Sequence, residues 1–135
     1  MEMPPLMTPA ITAFYGGLLG LLYLALCWQV VDHRRKGRVG LGTGGNPDLE
    51  RAVRVHGNFA EYAPLFLVLL LVAELGGAAA WLLHALGAVF LASRIAHAYG
   101  LSRSGGTSPG RFYGTLLTWV MLLGVAILNL KLALF

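Results

Sequence analysis

Charged residues are scarce in this sequence. Only 12% of its 135 residues are Asp, Glu, Lys or Arg, about half of the roughly 25% usual in a soluble domain. Hydrophobic residues make up 57%, and the mean hydropathy is +0.70. A water-soluble globule is therefore the wrong starting point, and an integral membrane protein is the right one. Cysteine is nearly absent too. A lone Cys27 excludes a disulfide framework within the chain. Placed among Leu, Ala and Trp28, with no activating neighbour, it reads as an inert small hydrophobe. No basic stretch precedes the first apolar run, which starts too late and runs too long for a signal peptide. Strand-like alternation and internal repeats are missing, so the expected fold is all-α. The net charge of +4 does not indicate nucleic acid, because the basic residues are distributed as a membrane topology requires.

What is present is four apolar segments, which use nearly the whole chain as one domain, 1–135. The first runs over about 9–31, with Thr8 as its N-cap and Pro9 at the first helical position. Asn46-Pro47-Asp48 caps a second over 47–75, ended by Gly76-Gly77. The third covers 78–101, and Ser108-Pro109 opens a fourth over 109–134. The loop after the first helix holds Arg34, Arg35, Lys36 and Arg38, and the loop after the third holds Arg103. The turn near Gly76 has neither Lys nor Arg. The positive-inside rule then gives an antiparallel four-transmembrane-helix bundle with both termini on the non-cytoplasmic side. Lys131 dissents weakly and is explained by snorkelling to the far interface.

The run Arg51-Ala-Val-Arg54-Val-His56-Gly-Asn58-Phe-Ala-Glu61-Tyr62 stands against this apolar background. At 100° per residue, Arg51, Arg54, Asn58, Glu61 and Tyr62 share roughly a third of the helix circumference. The apolar stretch that follows, Tyr62 to Ala73, is only about 18 Å long at helical rise. A hydrocarbon core is about 30 Å thick, so the span must take in Glu61 and Asn58 and reach back toward Arg54. Ionisable groups at that depth need partners or water and default to a functional reading. The same depth, counted from the outer turn, is reached by Arg94 and His97 on the third helix. Arg111 and Tyr113 open the fourth helix there, and Arg34 closes the first. Polar chemistry is thus expected at the cytoplasmic end of all four helices.

Blander readings apply to part of this set. Arg35, Lys36 and Arg38 are positive-inside anchors. Glu61 has a structural alternative as the counter-ion of Arg54 or of Arg94. His84 is a tolerated polar residue near the outer end, and Glu74 an interfacial one. His56, His84 and His97 have no converging ligand spacing, so no metal site is expected. Several guanidiniums, one carboxylate, an amide and phenols suit a zwitterion carrying more than one carboxylate. Glutathione fits that inventory; a phosphate or a lipid head group fits the chemistry equally. Gly16, Gly17 and Gly20 on the first helix and Gly124 on the fourth are expected to permit close helix contact. Four short helices leave the polar end half enclosed, which points to a homo-oligomer.

Arg54-Val-His56-Gly-Asn58-Phe-Ala-Glu61-Tyr62-Ala-Pro64-Leu-Phe66 resembles the second-helix signature of the MAPEG family, membrane-associated proteins in eicosanoid and glutathione metabolism. The resemblance extends through Val30-Val31-Asp32-His33-Arg34-Arg35, Pro47-Asp48-Leu49-Glu50-Arg51, Arg94-Ile-Ala-His97-Ala-Tyr99-Gly100 and Pro109-Gly110-Arg111-Phe112-Tyr113. It covers essentially the whole chain. It implies a homotrimer of four-helix subunits in a bacterial inner membrane, binding glutathione between subunits near the cytoplasmic face. Matched position by position, it assigns glutathione binding to Arg34, Arg54, Asn58, Glu61, Tyr62, Arg94, His97 and Tyr113. It assigns thiolate stabilisation to Arg111, with Arg103 as second candidate. One departure is Leu101, where the family often has tyrosine; Tyr99 lies two residues early and faces elsewhere.

The implied activity is that of a glutathione transferase or peroxidase. A guanidinium beside the sulfur favours the thiolate, which attacks a lipophilic electrophile or hydroperoxide delivered from the bilayer. The chain's brevity weighs against eicosanoid synthesis as the reaction. Two other classes compete. A small four-helix transporter would use Glu61 as a proton-coupled carboxylate in a mid-membrane aromatic cage, and a non-catalytic protein would keep the fold alone.

Overall fold

The computed structural model describes residues 8–135, which form four helices: α1 (Ala10–Gly37), α2 (Pro47–Leu75), α3 (Ala80–Arg103) and α4 (Pro109–Leu134). Each is long and apolar enough to cross a membrane. Their outward surfaces explain the composition. Phe14, Leu21, Leu24, Trp81, Leu123 and Leu130 are all exposed, as a helix facing lipid rather than water allows.

Successive helices run antiparallel. Thr12 near the start of α1 meets Glu74 at the end of α2, and Phe66 of α2 stacks face to face on Phe90 of α3 at 3.8 Å. Gly114 of α4 lies against His97 of α3. The described start of the chain, the Gly76-Gly77 turn and the C-terminus consequently share one end of the bundle. The two polar loops share the other. Phe66, Phe90, Leu19, Leu70, Leu83 and Val125 fill the interior between the ends.

Local signals set most of the boundaries. Asn46 Oδ1 accepts the amides of Asp48 (3.0 Å) and Leu49 (3.2 Å), and Pro47 opens α2 where its missing N–H is harmless. Ser108 Oγ accepts the amide of Arg111 at 3.3 Å, with Pro109 in the equivalent place on α4. Gly77 turns the chain at φ 83°, a conformation few other residues adopt.

Three expectations are corrected. First, α1 does not stop near Val31 but continues to Gly37. Lys36 and Asp32 pair at 2.6 Å across one turn, and the basic residues favour the carbonyl end of a helix. The helix closes at Arg38, whose φ of 52° is left-handed, with the Val39 amide bonded to Arg34 O at 3.0 Å. In the same way α3 begins and ends two residues later than expected. Second, Thr8 does not cap α1. Pro9 occupies the cap position and offers no side-chain acceptor. Instead the Glu74 carboxylate crosses from α2 and accepts the amides of Ile11 (2.9 Å) and Thr12 (2.7 Å). Glu74 is thus a cap for another helix, satisfying amides that have no partner in their own. Third, Gly17 and Gly20 touch nothing, and Gly16 has only the Leu67 side chain within reach. The close approaches are elsewhere. A Cβ on Gly114 would lie 2.7 Å from the His97 Cβ, and one on Gly87 would enter the Tyr15 ring. Gly124, as expected, is tight, with Leu86 at 3.2 Å from a built Cβ.

Candidate functional site

A pocket of about 290 Å³ opens at the polar end of the bundle, between α2, α3 and the start of α4. Four residues singled out from the sequence line it: Arg54 and Asn58 from α2, His97 from α3 and Arg111 from α4. The helix-two pair arrives there because positions four apart share a face. The α3 and α4 residues arrive because Gly114, lacking a side chain, lets α4 lie directly on the His97 backbone.

Behind the pocket lies a buried polar chain. Arg94 is 1% exposed and pairs with no carboxylate among the described residues. Its Nη2 donates to Asn58 Oδ1 at 2.5 Å and its Nη1 to Thr118 Oγ1 at 3.1 Å. Thr118 Oγ1 donates in turn to Gly114 O at 2.8 Å and sits 2.9 Å from Ser93 Oγ. A guanidinium has only donors, so Asn58 must present its oxygen to Arg94. The two amide N–H bonds of Asn58 are then left for whatever enters the pocket. His97 is 2% exposed and its Nδ1 has no partner among the described residues. That nitrogen is closed off from the pocket, which other atoms of the His97 side chain or backbone line.

Arg111 lies at the N-terminus of α4, where unpaired amides already favour negative charge. Its Nη1 donates to the carbonyls of Gly105 (3.2 Å) and Gly106 (3.4 Å), which hold the side chain over the α3–α4 loop. Pocket residues not included among the expected ligand contacts are Glu50, Arg51 and Leu101. Arg51 was legible, being about 20° from Asn58 around the helix; it pairs with Asp48. Leu101 presents an apolar wall where a tyrosine was missed.

The other expected contacts lie outside this pocket. Arg94 is behind it. Glu61 is exposed on the bundle's outer surface and makes no ion pair among the described residues, so neither Arg54 nor Arg94 is its counter-ion. The Tyr62 hydroxyl accepts from Trp119 Nε1 at 3.0 Å, and the Arg94 guanidinium lies 5.6 Å from the Tyr62 ring centre. Arg34 is drawn to its own loop, donating to Gly42 O at 2.7 Å. Tyr113 is exposed and packs edge-on against Phe112. Arg103 lies over the Tyr99 ring at 4.8 Å, on the other side of α3. His56 stacks on Tyr23 of α1.

A second surface feature adjoins α1 and α2. Gly16, Gly20, Tyr23, Ala60 and Ala63 line an open groove of about 350 Å³ with almost no polar surface. Gly20, whose built Cβ has no neighbour within 4 Å in the chain, therefore faces outward along it.

The model of the MAPEG family matches residues 12–131. The inner membrane protein YecN of Escherichia coli K12 is 38% identical over 120 residues, which is 89% of this chain and 90% of that protein. Leukotriene C4 synthases of Cavia porcellus and Bos taurus are 37% and 36% identical over 118 residues, 84% of this chain and 76% of each synthase.

Proposed function

The chain belongs to the MAPEG family, and on that footing we propose that it binds glutathione at its polar pocket and uses it as a transferase or peroxidase toward lipophilic substrates. The observation that carries this reading is the Arg94–Asn58 bond. It fixes an amide as donor in a pocket that also holds the guanidiniums of Arg54 and Arg111, which is a recognition surface for carboxylates and peptide carbonyls.

Bound there, glutathione would supply a thiol as nucleophile. Arg54 holds a carboxylate and Asn58 donates to it or to a peptide carbonyl. Arg111, with the α4 N-terminus behind it, favours the deprotonated sulfur. The aliphatic wall at Leu101 keeps water from that part of the site.

At about 290 Å³ the pocket is at the lower limit of the roughly 300–1,000 Å³ common for small-molecule sites. A tripeptide would overflow one subunit. Glu61 and the Gly16–Gly20 groove are both exposed without partners, which supports a homotrimer whose neighbouring subunit completes the site. The proposed setting is a bacterial inner membrane with the pocket on the cytoplasmic side, as the basic loops at that end require. Exposure of Glu61 on the outside of the bundle disfavours a transporter that would enclose it.

Glutathione should raise the melting temperature of the purified protein in a concentration-dependent way. Arg111→Ala should reduce that shift far less than it reduces conjugation of a lipophilic aryl halide and the ultraviolet absorbance of bound thiolate. No shift at millimolar glutathione would overturn the binding reading. Equal turnover by wild type and Arg111→Ala would remove Arg111 from the chemistry. Cross-linking in mild detergent should give trimers, and finding monomer alone would defeat a site between subunits.

A further inference from the structure

A larger cleft lies on the opposite side of α3 from the polar pocket, in the seam between α1 and α3, with a volume of about 610 Å³. At the other end of this seam α1 is pinned to α3 by Tyr15. The Tyr15 ring sits in the space that a side chain on Gly87 would take, and its hydroxyl is 3.1 Å from both His84 Nδ1 and His84 O. Toward the basic loops the seam opens. Its walls change character along their length. Leu22, Leu26 and Ile95 line the deep part, and Asp32, His33 and Ser102 line the mouth. Between them stand Trp28 and Tyr99, 60% and 61% exposed, where an aromatic belt would meet the membrane interface.

The mouth is cationic. Arg103 lies over the Tyr99 ring at 4.8 Å, and Arg35 lies seven residues after Trp28, so on the same face of α1. The carboxylate present, Asp32, is already held by Lys36 at 2.6 Å. His33 Nδ1 donates to Gln29 O at 2.7 Å, so the neutral ring has no further proton to give and adds no anion donor to the mouth.

We propose that this α1–α3 cleft is a binding site for one anionic diacyl phospholipid, with its phosphate at Arg103 and an acyl chain along Leu22, Leu26 and Ile95. Two features on the page select that occupant. The apolar-to-polar gradient with aromatics at the boundary matches an amphiphile entering from the bilayer. The uncompensated positive charge at the mouth matches an anionic head rather than a zwitterionic one. The site is separate from the polar pocket and does not depend on what that pocket binds.

Bromine-labelled lipids in nanodiscs test it through Trp28. A protein with Trp28 as its sole tryptophan (Trp81→Phe and Trp119→Phe) should be quenched several-fold more by brominated phosphatidylglycerol than by brominated phosphatidylcholine at equal mole fraction. Trp81, exposed at the far end, should show no such preference when it is the sole tryptophan. Arg103→Ala should cut the Trp28 preference about fivefold, as expected for one cation near an anionic lipid. Arg103→Lys should largely restore it. Arg38→Asn removes an equal charge from outside the cleft, with a side chain that tolerates the left-handed backbone, and should leave the preference intact. For protein with its tryptophans intact, phosphatidylglycerol should be enriched among the lipids retained through detergent purification, and less so in Arg103→Ala. Equal quenching by the two lipids would overturn the site. So would equal effects of Arg103→Ala and Arg38→Asn, which would mean general surface electrostatics. Absence of quenching by either lipid would mean that another protein copy covers the cleft, and would overturn it as well.

Discussion

Replacing Arg94 by methionine should weaken glutathione binding far more than it weakens the fold. Two charge-assisted hydrogen bonds, to Asn58 and Thr118, would be lost, each worth about 1.5–3 kcal/mol. Against that stands the penalty of holding an unpaired guanidinium away from water, still several kcal/mol after relaxation. Methionine has a similar length and fills the space. The two contributions are comparable and opposed, so ligand-free stability should change by no more than about 2 kcal/mol in either direction. Binding has no such compensation. Without Arg94 the Asn58 amide is free to turn, which forfeits about 1 kcal/mol of oriented donation, and one positive charge near a carboxylate ligand is lost, worth about 1–2 kcal/mol at an effective dielectric near 20. Together these amount to roughly a 30- to 150-fold rise in Kd. Calorimetric titration of glutathione into wild type and Arg94→Met, with unfolding followed in the same detergent, measures both quantities. Affinity within twofold of wild type alongside a large fall in melting temperature would refute the positioning role and make Arg94 a structural residue. Asn58→Asp provides the converse: it gives Arg94 a carboxylate partner, so the fold should hold or gain while anion binding is lost.

Three further outcomes follow from the geometry. Glu61→Gln should leave the melting temperature of dilute, ligand-free protein unchanged, because Glu61 has no partner in its subunit, but should reduce glutathione affinity at least tenfold; a lower melting temperature with intact affinity would return Glu61 to a structural role. Glu74→Ala should destabilise the protein by about 1–3 kcal/mol through the two orphaned amides of α1, with Glu74→Gln intermediate because it keeps one acceptor, and glutathione affinity should not change in either. Gly114→Ala should lower the melting temperature and blunt glutathione binding together, since its Cβ would press on His97 at 2.7 Å; unchanged stability would show that α3 and α4 separate readily.

Local chemistry made the fold legible. Asn46-Pro47 and Ser108-Pro109 carry their own capping signals, and four apolar runs of spanning length leave little choice of architecture. The pocket was legible to the extent that helix spacing governs it, which brought Arg54, Asn58, His97 and Arg111 together. Glu61 was grouped with them because it is near in angle. Neighbouring helices divide that arc, however, and α3 covers Asn58 while leaving Glu61 outside. The hydrogen bond from Arg94 to Thr118, and the capping of α1 by Glu74, depend on residues 24 and 62 or more positions apart. No periodicity within one segment reports such pairings. Small residues are equivocal for the same reason. A glycine marks where a helix can be approached, and only the packed bundle shows that Gly87 and Gly114 are approached while Gly17 and Gly20 are not.

The reach of Glu74 to the start of α1 has a bearing on biogenesis. A helix entering hydrocarbon with bare N-terminal amides carries a penalty of several kcal/mol for each unsatisfied group. The amides of Ile11 and Thr12 find their acceptor only when the end of α2 has arrived beside them. The carboxylate of Glu74, equally ill-suited to lipid, finds its donors at the same moment. α1 and α2 are thus each incomplete alone and complete as a pair, which favours insertion as a helical hairpin through residue 75. A nascent chain stalled before Glu74 emerges from the ribosome should remain loosely inserted and extractable, and one stalled just beyond the Gly76-Gly77 turn should be firmly held.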